Sequence, residues 1–515
     1  MAESPAATDH AHEHEREHGQ NPEGGDRLRQ ARLEKLARLE DAGIRPYPTT
    51  FPRSHRATEV QANFENLEGK QVCVAGRLGV FKSLGKNLAF VFLQDDSGQI
   101  QLILHPRALD EQTRAVYAGL DPGDFVGACG NVMKSKTGEV SVDVQQLTLL
   151  SKSLRNPPEK WHGLVDVETR YRQRYLDLMS NIETRQVFLT RSRFITAIRQ
   201  FLNARGFVEV ETPVLQAIPG GGSARPFATE SYAMDSRMYL RIALELYLKR
   251  CIIGGIERVY EIGRNFRNEG VSFKHSPEFT MLELYQAYVD YEDIMRLTED
   301  MVATAARAAV GKTKVRWGDT EIDFNPPWQR MPLRTAIAEF SGVDYADCPD
   351  TEELRQAAAK AGLHTEPEWN RGKILDELLT AFVEPKLIQP TFLTDYPTAF
   401  PGSTLAKGKP GNPDEVERFE GFAGGLELAN AFSELNDPRV QRERFMEQVS
   451  AREAGDPEAQ PFDQDFLTAL EHGMPPTGGL GLGIDRVVML LTDQHTIRDV
   501  ILFPQLRPQA TSSSS

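Results

Sequence analysis

Residues 264–285, RNFRNEGVSFKHSPEFTMLELY, crowd arginines, a lysine, a histidine and three glutamates into what otherwise reads as two apolar strands joined by a loop. Strand periodicity puts Phe279, Met281, Glu283 and Tyr285 on one face and Thr280, Leu282 and Leu284 on the other. In the preceding run, ERVYEIGRNF, Glu261, Gly263, Asn265 and Arg267 share a face opposite Tyr260, Ile262 and Phe266. A loop of roughly ten residues then lets Arg267, Phe279, Glu283 and Tyr285 lie over a single cavity. The plainer alternative is an exposed antiparallel sheet whose charges pair across strands. Similar clusters elsewhere favour the cavity.

The first recurrence is RIALELYLKR, 241–250, with Glu245 in a helical stretch. The second is RFEGFAGGLELANAFSELND, 418–437. Glu420 and Glu427 would align on a helix but fall on opposite faces of one strand, whereas Asn430, Phe432 and Glu434 alternate as in a strand. The third, GGLGLGIDRVVMLL at 478–491, reads as a glycine-rich strand or turn entering a helix with Arg486 near its start. Its glycines do not meet the dinucleotide pattern GxGxxG, and GKT at 311–313 is no phosphate loop because Ala306 stands where glycine is needed.

At 515 residues and 40% hydrophobic content the chain can bury a large core and should form two or more domains. No stretch is apolar enough to span a bilayer, and the N-terminus is polar, which points to the cytosol. A formal charge of −15 opposes indiscriminate binding to polyanions without excluding a local basic face. Cys73, Cys129, Cys251 and Cys348 are far apart and form no CxxC pair, so free thiols are expected rather than a disulfide framework or zinc site.

Residues 1–25 lack apolar periodicity and read as a disordered tail, in which His10, His12, His14 and His18 offer at most a loose metal site. Residues 26–69 contain a basic amphipathic helix over 27–43, suited either to packing on its own domain or to an RNA backbone. Between 70 and 152 five short alternating runs and one helix, LDEQTRAVYAGL, suggest an OB-type β-barrel. Its surface offers Phe90, Gln101 and Glu139 for stacking on bases and hydrogen bonding to their edges, although any one aromatic in such a barrel more often belongs to the core. A proline-containing linker, 153–170, leads to a longer region of mixed helices and strands, 171–507, and a short tail, 508–515.

With these stretches in view, GFVEVETPVL, FRNEG and GLGLGIDR resemble the three signature motifs of class II aminoacyl-tRNA synthetases. IPGGGSARPF, EFTMLELYQAY, ANAFSELND and HTIRDVILFP extend the resemblance to the bacterial-type lysyl-tRNA synthetase family over about residues 30–507. The implied fold is α+β: an N-terminal OB-fold barrel that binds the tRNA anticodon, then a catalytic domain built on an antiparallel β-sheet flanked by helices. The implied reaction joins L-lysine to ATP as lysyl-adenylate with release of pyrophosphate, then passes lysine to the terminal adenosine of tRNA(Lys).

Roles follow by resemblance. Arg267 bridges the α-phosphate and the substrate carboxylate, and Arg486 grips the γ-phosphate; a planar guanidinium suits both anions. Phe279 stacks on adenine, Glu269 accepts from its amine, and His275 lies near the phosphates. Glu420 and Glu427 match the Mg²⁺ ligands. Glu245 faces the α-ammonium of lysine, while Glu283, Tyr285 and Glu434 surround the side-chain ammonium and Asn430 and Phe432 line the pocket. Aspartyl and asparaginyl relatives would want a cation where Glu283 and Glu434 stand. Phe90, Gln101 and Glu139 contact the anticodon, and the first motif implies a homodimer. Three positions depart from the family: the segment YPTAFPGSTLAK at 396–407, Leu244 and Lys274. A non-catalytic paralogue and a protein-lysylating paralogue are the rivals; the first usually lacks a motif arginine or metal carboxylate, and the second lacks the barrel.

Overall fold

The computed structural model describes residues 22–84, 87–158, 164–222, 224–453 and 461–509, so the four tail histidines lie outside it. The chain forms two compact bodies, divided between Gly163 and Leu164.

In the first body, strands Gln71–Leu78, Leu88–Gln94, Gln99–Leu104, Phe125–Lys134 and Val140–Ser151 make a closed barrel. A three-residue strand, Lys82–Leu84, extends one edge. Closure comes from Arg77 and Leu78 pairing with Gln94 and Leu93. Alternation decides what fills it: Ala89, Val91 and Leu93 are buried while Phe90 and Phe92 between them stay half-buried outside. Asp110 caps the helix Glu111–Gly119 by accepting from Thr113 N at 2.7 Å.

The basic helix runs from Pro22 to Asp41, so it begins inside the segment expected as a tail. Its packing follows the intradomain alternative. Arg32 is buried and donates to the carbonyls of Ser153, Arg155 and Pro122 at 2.6 to 3.1 Å, and Lys35 pairs with Asp121 at 2.6 Å. Arg27, Arg29 and Arg38 remain exposed.

The expectation of free thiols is corrected for one pair. Cys73 and Cys129 form a disulfide, whereas Cys251 and Cys348 are free. A sequence separation of 56 conceals that the two face each other directly in the antiparallel register of neighbouring barrel strands, 4.1 Å apart at Cα.

The second body is built on a nine-stranded, mostly antiparallel sheet. Its central order is Thr391–Pro397, Asn412–Ala423, Leu426–Ser433, Thr477–Gly483, Glu278–Ala287, Arg258–Phe266. Parallel pairs occur at the two ends, with Gln329–Pro332 and Val208–Glu209. The helices Ile182–Asn203, Tyr291–Val310 and Ile484–Leu491 share one apolar core with Leu282, Leu284, Leu480 and Leu482 from the sheet. That layer stabilises by removing apolar surface from water and leaves the opposite face of the central strands for chemistry. The second body opens with a helix at Val167–Arg172, which begins in the segment expected as linker.

Candidate active site

The opening stretch is the predicted hairpin. Arg258–Phe266 and Glu278–Ala287 pair antiparallel with Glu261 opposite Glu283, Gly263 opposite Met281 and Asn265 opposite Phe279. The next strand explains its composition: Leu480 and Leu482 go to the core, while Gly479, Gly481 and Gly483 lie in cross-strand register with Tyr285, Glu283 and Met281. Glycine is required where the floor is crowded. A Cβ on Gly479 would sit 2.6 Å from Tyr285 Cε1 and well inside contact distance of a Glu434 carboxylate oxygen.

Arg267, Glu269, His275, Phe279, Glu427, Asn430 and Arg486 line one cavity of about 240 Å³. The Arg267 guanidinium lies 5.2 Å from the Phe279 ring centroid, and its Nε donates to Ile242 O at 3.4 Å. Burial pulls its pKa below the ordinary value, so an anion entering here meets a cation that has already shed water. Arg486 donates from Nη1 to the Glu427 carbonyl at 2.7 Å and to its carboxylate at 3.1 Å. Beside it Asp485 accepts from Arg191 Nη1 at 2.5 Å and from Thr280 N at 2.6 Å, which fixes the start of the helix carrying Arg486 to the hairpin. His275 accepts from or donates to Ser272 Oγ at 3.0 Å; displacement of water, with Arg486 and Lys274 adding repulsion, pushes its pKa down to about 4. Lys274, one of the three departures, pairs with Glu384 at 2.7 Å.

At the other end of the same face lies a buried acidic cluster. Leu244 is the residue preceding the helix Glu245–Ile253, and its N–H donates to Glu283 Oε1 at 2.9 Å. Tyr285 donates from its hydroxyl to Glu283 Oε2 at 3.2 Å. Burial, reinforced by Glu245, pushes Glu283 up to about 7. Burial raises Glu434 well above the usual carboxylate range, Lys249 opposes that shift, and Glu245 and Glu283 add to it. Glu434 Oε1 has no hydrogen-bond partner among the described residues, although the residue is 1% exposed. Phe432 is buried alongside.

Glu420 and Glu427 sit on a hairpin, Asn412–Ala423 with Leu426–Ser433, rather than on a helix. A register shift at Gly421/Phe422 pairs Phe422 with Glu427 and skips Leu428, which brings Glu427 to the face of Glu420. Simple alternation along one strand had separated them. Glu420 accepts from Arg418 Nη2 at 2.6 Å and from the Tyr396 hydroxyl at 2.8 Å. Burial raises it to about 7, and the nearby negative charge of Glu427 contributes. The unusual 396–407 segment takes part: Pro401 O and Ser403 Oγ accept from Arg418 Nη1 at 2.7 and 3.1 Å. Among the described residues no three metal-ligating side chains cluster, so a cation here would take two carboxylates and complete its shell from a ligand.

Sequence reading passed over Lys249, Asp485 and Arg418. Each had a local signal: Lys249 is four residues from Glu245 on a helix, Asp485 adjoins Arg486, and Arg418 is two strand positions from Glu420.

In the barrel body, Phe90 is half-buried on the outer face between Lys82 and Ile103. Gln101 lies opposite Ser141, whose hydroxyl is 2.9 Å from Gln101 Oε1 and 3.0 Å from Glu139 O, so one side chain links those two positions. The Glu139 side chain is exposed.

Comparison with known proteins agrees with both bodies. Residues 166–507 match the family model of class II tRNA synthetases (D, K and N), and residues 72–150 match that of an OB-fold nucleic acid binding domain. The chain is 55% identical over 482 residues to a lysine–tRNA ligase of Moorella thermoacetica, covering 94% of this chain and 98% of that one. It is 52% identical to a lysine–tRNA ligase of a Roseiflexus species, covering 94% and 99%, and 51% identical to one of Dehalococcoides mccartyi, covering 93% and 97%.

Proposed function

The chain belongs to the class II tRNA synthetases of the D, K and N group, among the lysine–tRNA ligases, and from that we propose how its own residues activate lysine with ATP and pass it to tRNA(Lys). The observation that carries the reading is the buried cluster of Glu245, Glu283 and Glu434, with Glu283 on the hairpin that also lends Arg267 and Phe279 to the cavity. An anionic and a cationic substrate must meet, and each end has the opposite charge in place.

ATP enters the cavity with adenine against Phe279 and its exocyclic amine toward Glu269. Arg486 holds the γ-phosphate and His275, uncharged in the free protein, lies near the chain of phosphates. Arg267 takes both the α-phosphate and the lysine carboxylate, which holds nucleophile and electrophile together and stabilises the charge that builds as pyrophosphate departs. Glu420 and Glu427 would hold Mg²⁺, since two mutually repelling carboxylates near a polyphosphate suit that ion. When bound, it would neutralise phosphate charge. Calorimetric titration of Mg²⁺ into the protein with a non-hydrolysable ATP analogue should weaken in Glu420→Gln; unchanged binding would remove that assignment.

Lysine binds with its α-ammonium at Glu245 and its side-chain ammonium among Glu283, Tyr285 and Glu434, lined by Asn430 and Phe432. The unpartnered Glu434 Oε1 supports this, because a buried acceptor without a donor is unfavourable until a ligand supplies one. The direct test is ATP–pyrophosphate exchange with purified protein: lysine should support it, and equal exchange with aspartate would sink the reading. Glu434→Gln should raise the KM for lysine by about 10²-fold or more, the scale for uncoupling a buried charge pair, while the KM for ATP changes little. Comparable losses for both substrates would count against the assignment.

For tRNA, Phe90 stacks on an anticodon base while Gln101 and Glu139 read base edges. Phe90→Ala should cost about 1–3 kcal/mol of tRNA affinity, measured by filter binding, and leave lysine-dependent exchange intact. The functional unit is a homodimer in the cytoplasm. Val208, Val214, Leu215 and Ile218 around the first motif are 39–49% exposed, an apolar surface suited to a second copy. Sedimentation of a fully active monomer would refute it. No helix among the described residues is long and apolar enough to cross a membrane.

A further inference from the structure

The acidic cluster already contains a cation. Lys249 is completely buried one helical turn beyond Glu245. Its ammonium contacts Glu245 Oε1 at 2.5 Å and also pairs with Glu434 Oε2. It therefore bridges the two carboxylates assigned to opposite ends of the lysine substrate. The Phe432 and Phe466 ring centroids lie 5.4 and 6.0 Å from its Nζ. Glu283 and Tyr285 face the same cluster from the hairpin strand. The adjacent Arg250 is committed elsewhere, to Asp463 at 3.1 Å and Asp465 at 3.0 Å, so it does not share Lys249's task.

The charges then balance in a specific way. Glu245, Glu283 and Glu434 carry three negative charges when ionised, and Lys249 cancels one. Two remain for the two ammonium groups of a lysine substrate, whose carboxylate is met by Arg267. With no resident cation, bound lysine would leave one buried carboxylate uncompensated, which favours its protonation. With a second resident cation, one substrate ammonium would have no partner.

We propose that Lys249 is a specificity-determining positioning residue, the built-in counter-ion that bridges Glu245 and Glu434 and balances one of the three clustered carboxylates, so that the site accepts an amino acid with two ammonium groups. This deepens the lysine reading and rests on it. The burial that raises Glu434 and Glu283 is opposed at Glu434 by Lys249, while Lys249's own ammonium is held above its ordinary pKa because Glu245 and Glu434 outweigh desolvation.

The experiment is the pH profile of kcat/KM for lysine in ATP–pyrophosphate exchange, for the unaltered protein, Lys249→Met and Lys249→Arg. The acidic limb of that profile reports free-enzyme ionisations needed for lysine capture. Removing the cation makes Glu434 harder to ionise, so in Lys249→Met the limb should move to higher pH by at least about one unit, with at least about tenfold lower kcat/KM at pH 7. Lys249→Arg keeps the charge and should leave the limb within about 0.3 unit, even where its bulk lowers the rate throughout. A uniform loss in Lys249→Met with an unmoved limb would overturn the proposal, because that is the signature of a packing role. Should Lys249→Met fail to fold, Lys249→Gln takes its place: a limb moved to higher pH supports the proposal and an unmoved one overturns it. Absence of lysine-dependent exchange in the unaltered protein would instead defeat the functional reading itself.

Discussion

Gly479→Ala should lower kcat/KM for lysine in ATP–pyrophosphate exchange by about 10²- to 10³-fold, the scale of misplacing catalytic groups by an ångström. The new methyl enters space held by Glu434 and Tyr285, two groups assigned to the side-chain ammonium of lysine. Neither can retreat easily. Glu434 is tied to Lys249, and Tyr285 is buried with its hydroxyl on Glu283. Overpacking of this kind also costs about 1–3 kcal/mol of stability, so a lowered melting temperature should accompany the kinetic loss. The contrast with Gly481 identifies the cause. A Cβ there first meets Met281 Cε at 3.6 Å, an ordinary contact, so Gly481→Ala should be far milder. Equal losses in the two variants would mean that glycine is needed for something other than space beside Glu434.

Arg267→Ala should reduce the rate of lysine-dependent exchange by about 10²- to 10³-fold, the range that removal of a single charge-stabilising donor reaches in other enzymes. The loss should fall mainly on kcat, because the guanidinium is assigned to charge that develops during transfer and not to ground-state binding alone. Arg267→Lys should recover little of it. An ammonium is a point charge and cannot span an α-phosphate and a carboxylate with a planar fork. The site also holds Arg267 in place through Phe279 on one side and the Ile242 carbonyl on the other. Single-turnover rates in Arg267→Ala close to those of the unaltered protein would remove it from the chemical step.

The charged hairpin was legible because strand alternation is strict: Phe279, Met281, Glu283 and Tyr285 had to share a face once the segment was a strand, whereas their register with Asn265, Gly263 and Glu261 was set by the pairing of the two strands. The glycine strand was legible only in part. Alternating Gly and Leu gives one small and one apolar face, but that the small face makes room for Glu434 depends on a strand approaching from elsewhere in the chain.

What the sequence determined by itself, through periodicity and the family motifs, was the succession of a barrel and an α+β domain, the charged hairpin with its three recurrences and the identity of the residues in them. Local rules suffice there because side-chain direction repeats every two residues in a strand and about every 3.6 in a helix. Tertiary structure alone decided the rest. A register shift brings Glu427 to the face of Glu420, barrel register joins Cys73 to Cys129, and Lys249 reaches across from its own helix to Glu434. Each of these depends on which backbones lie side by side and in what register. Contacts between residues distant in sequence are set by packing the whole sheet, and no local periodicity encodes them.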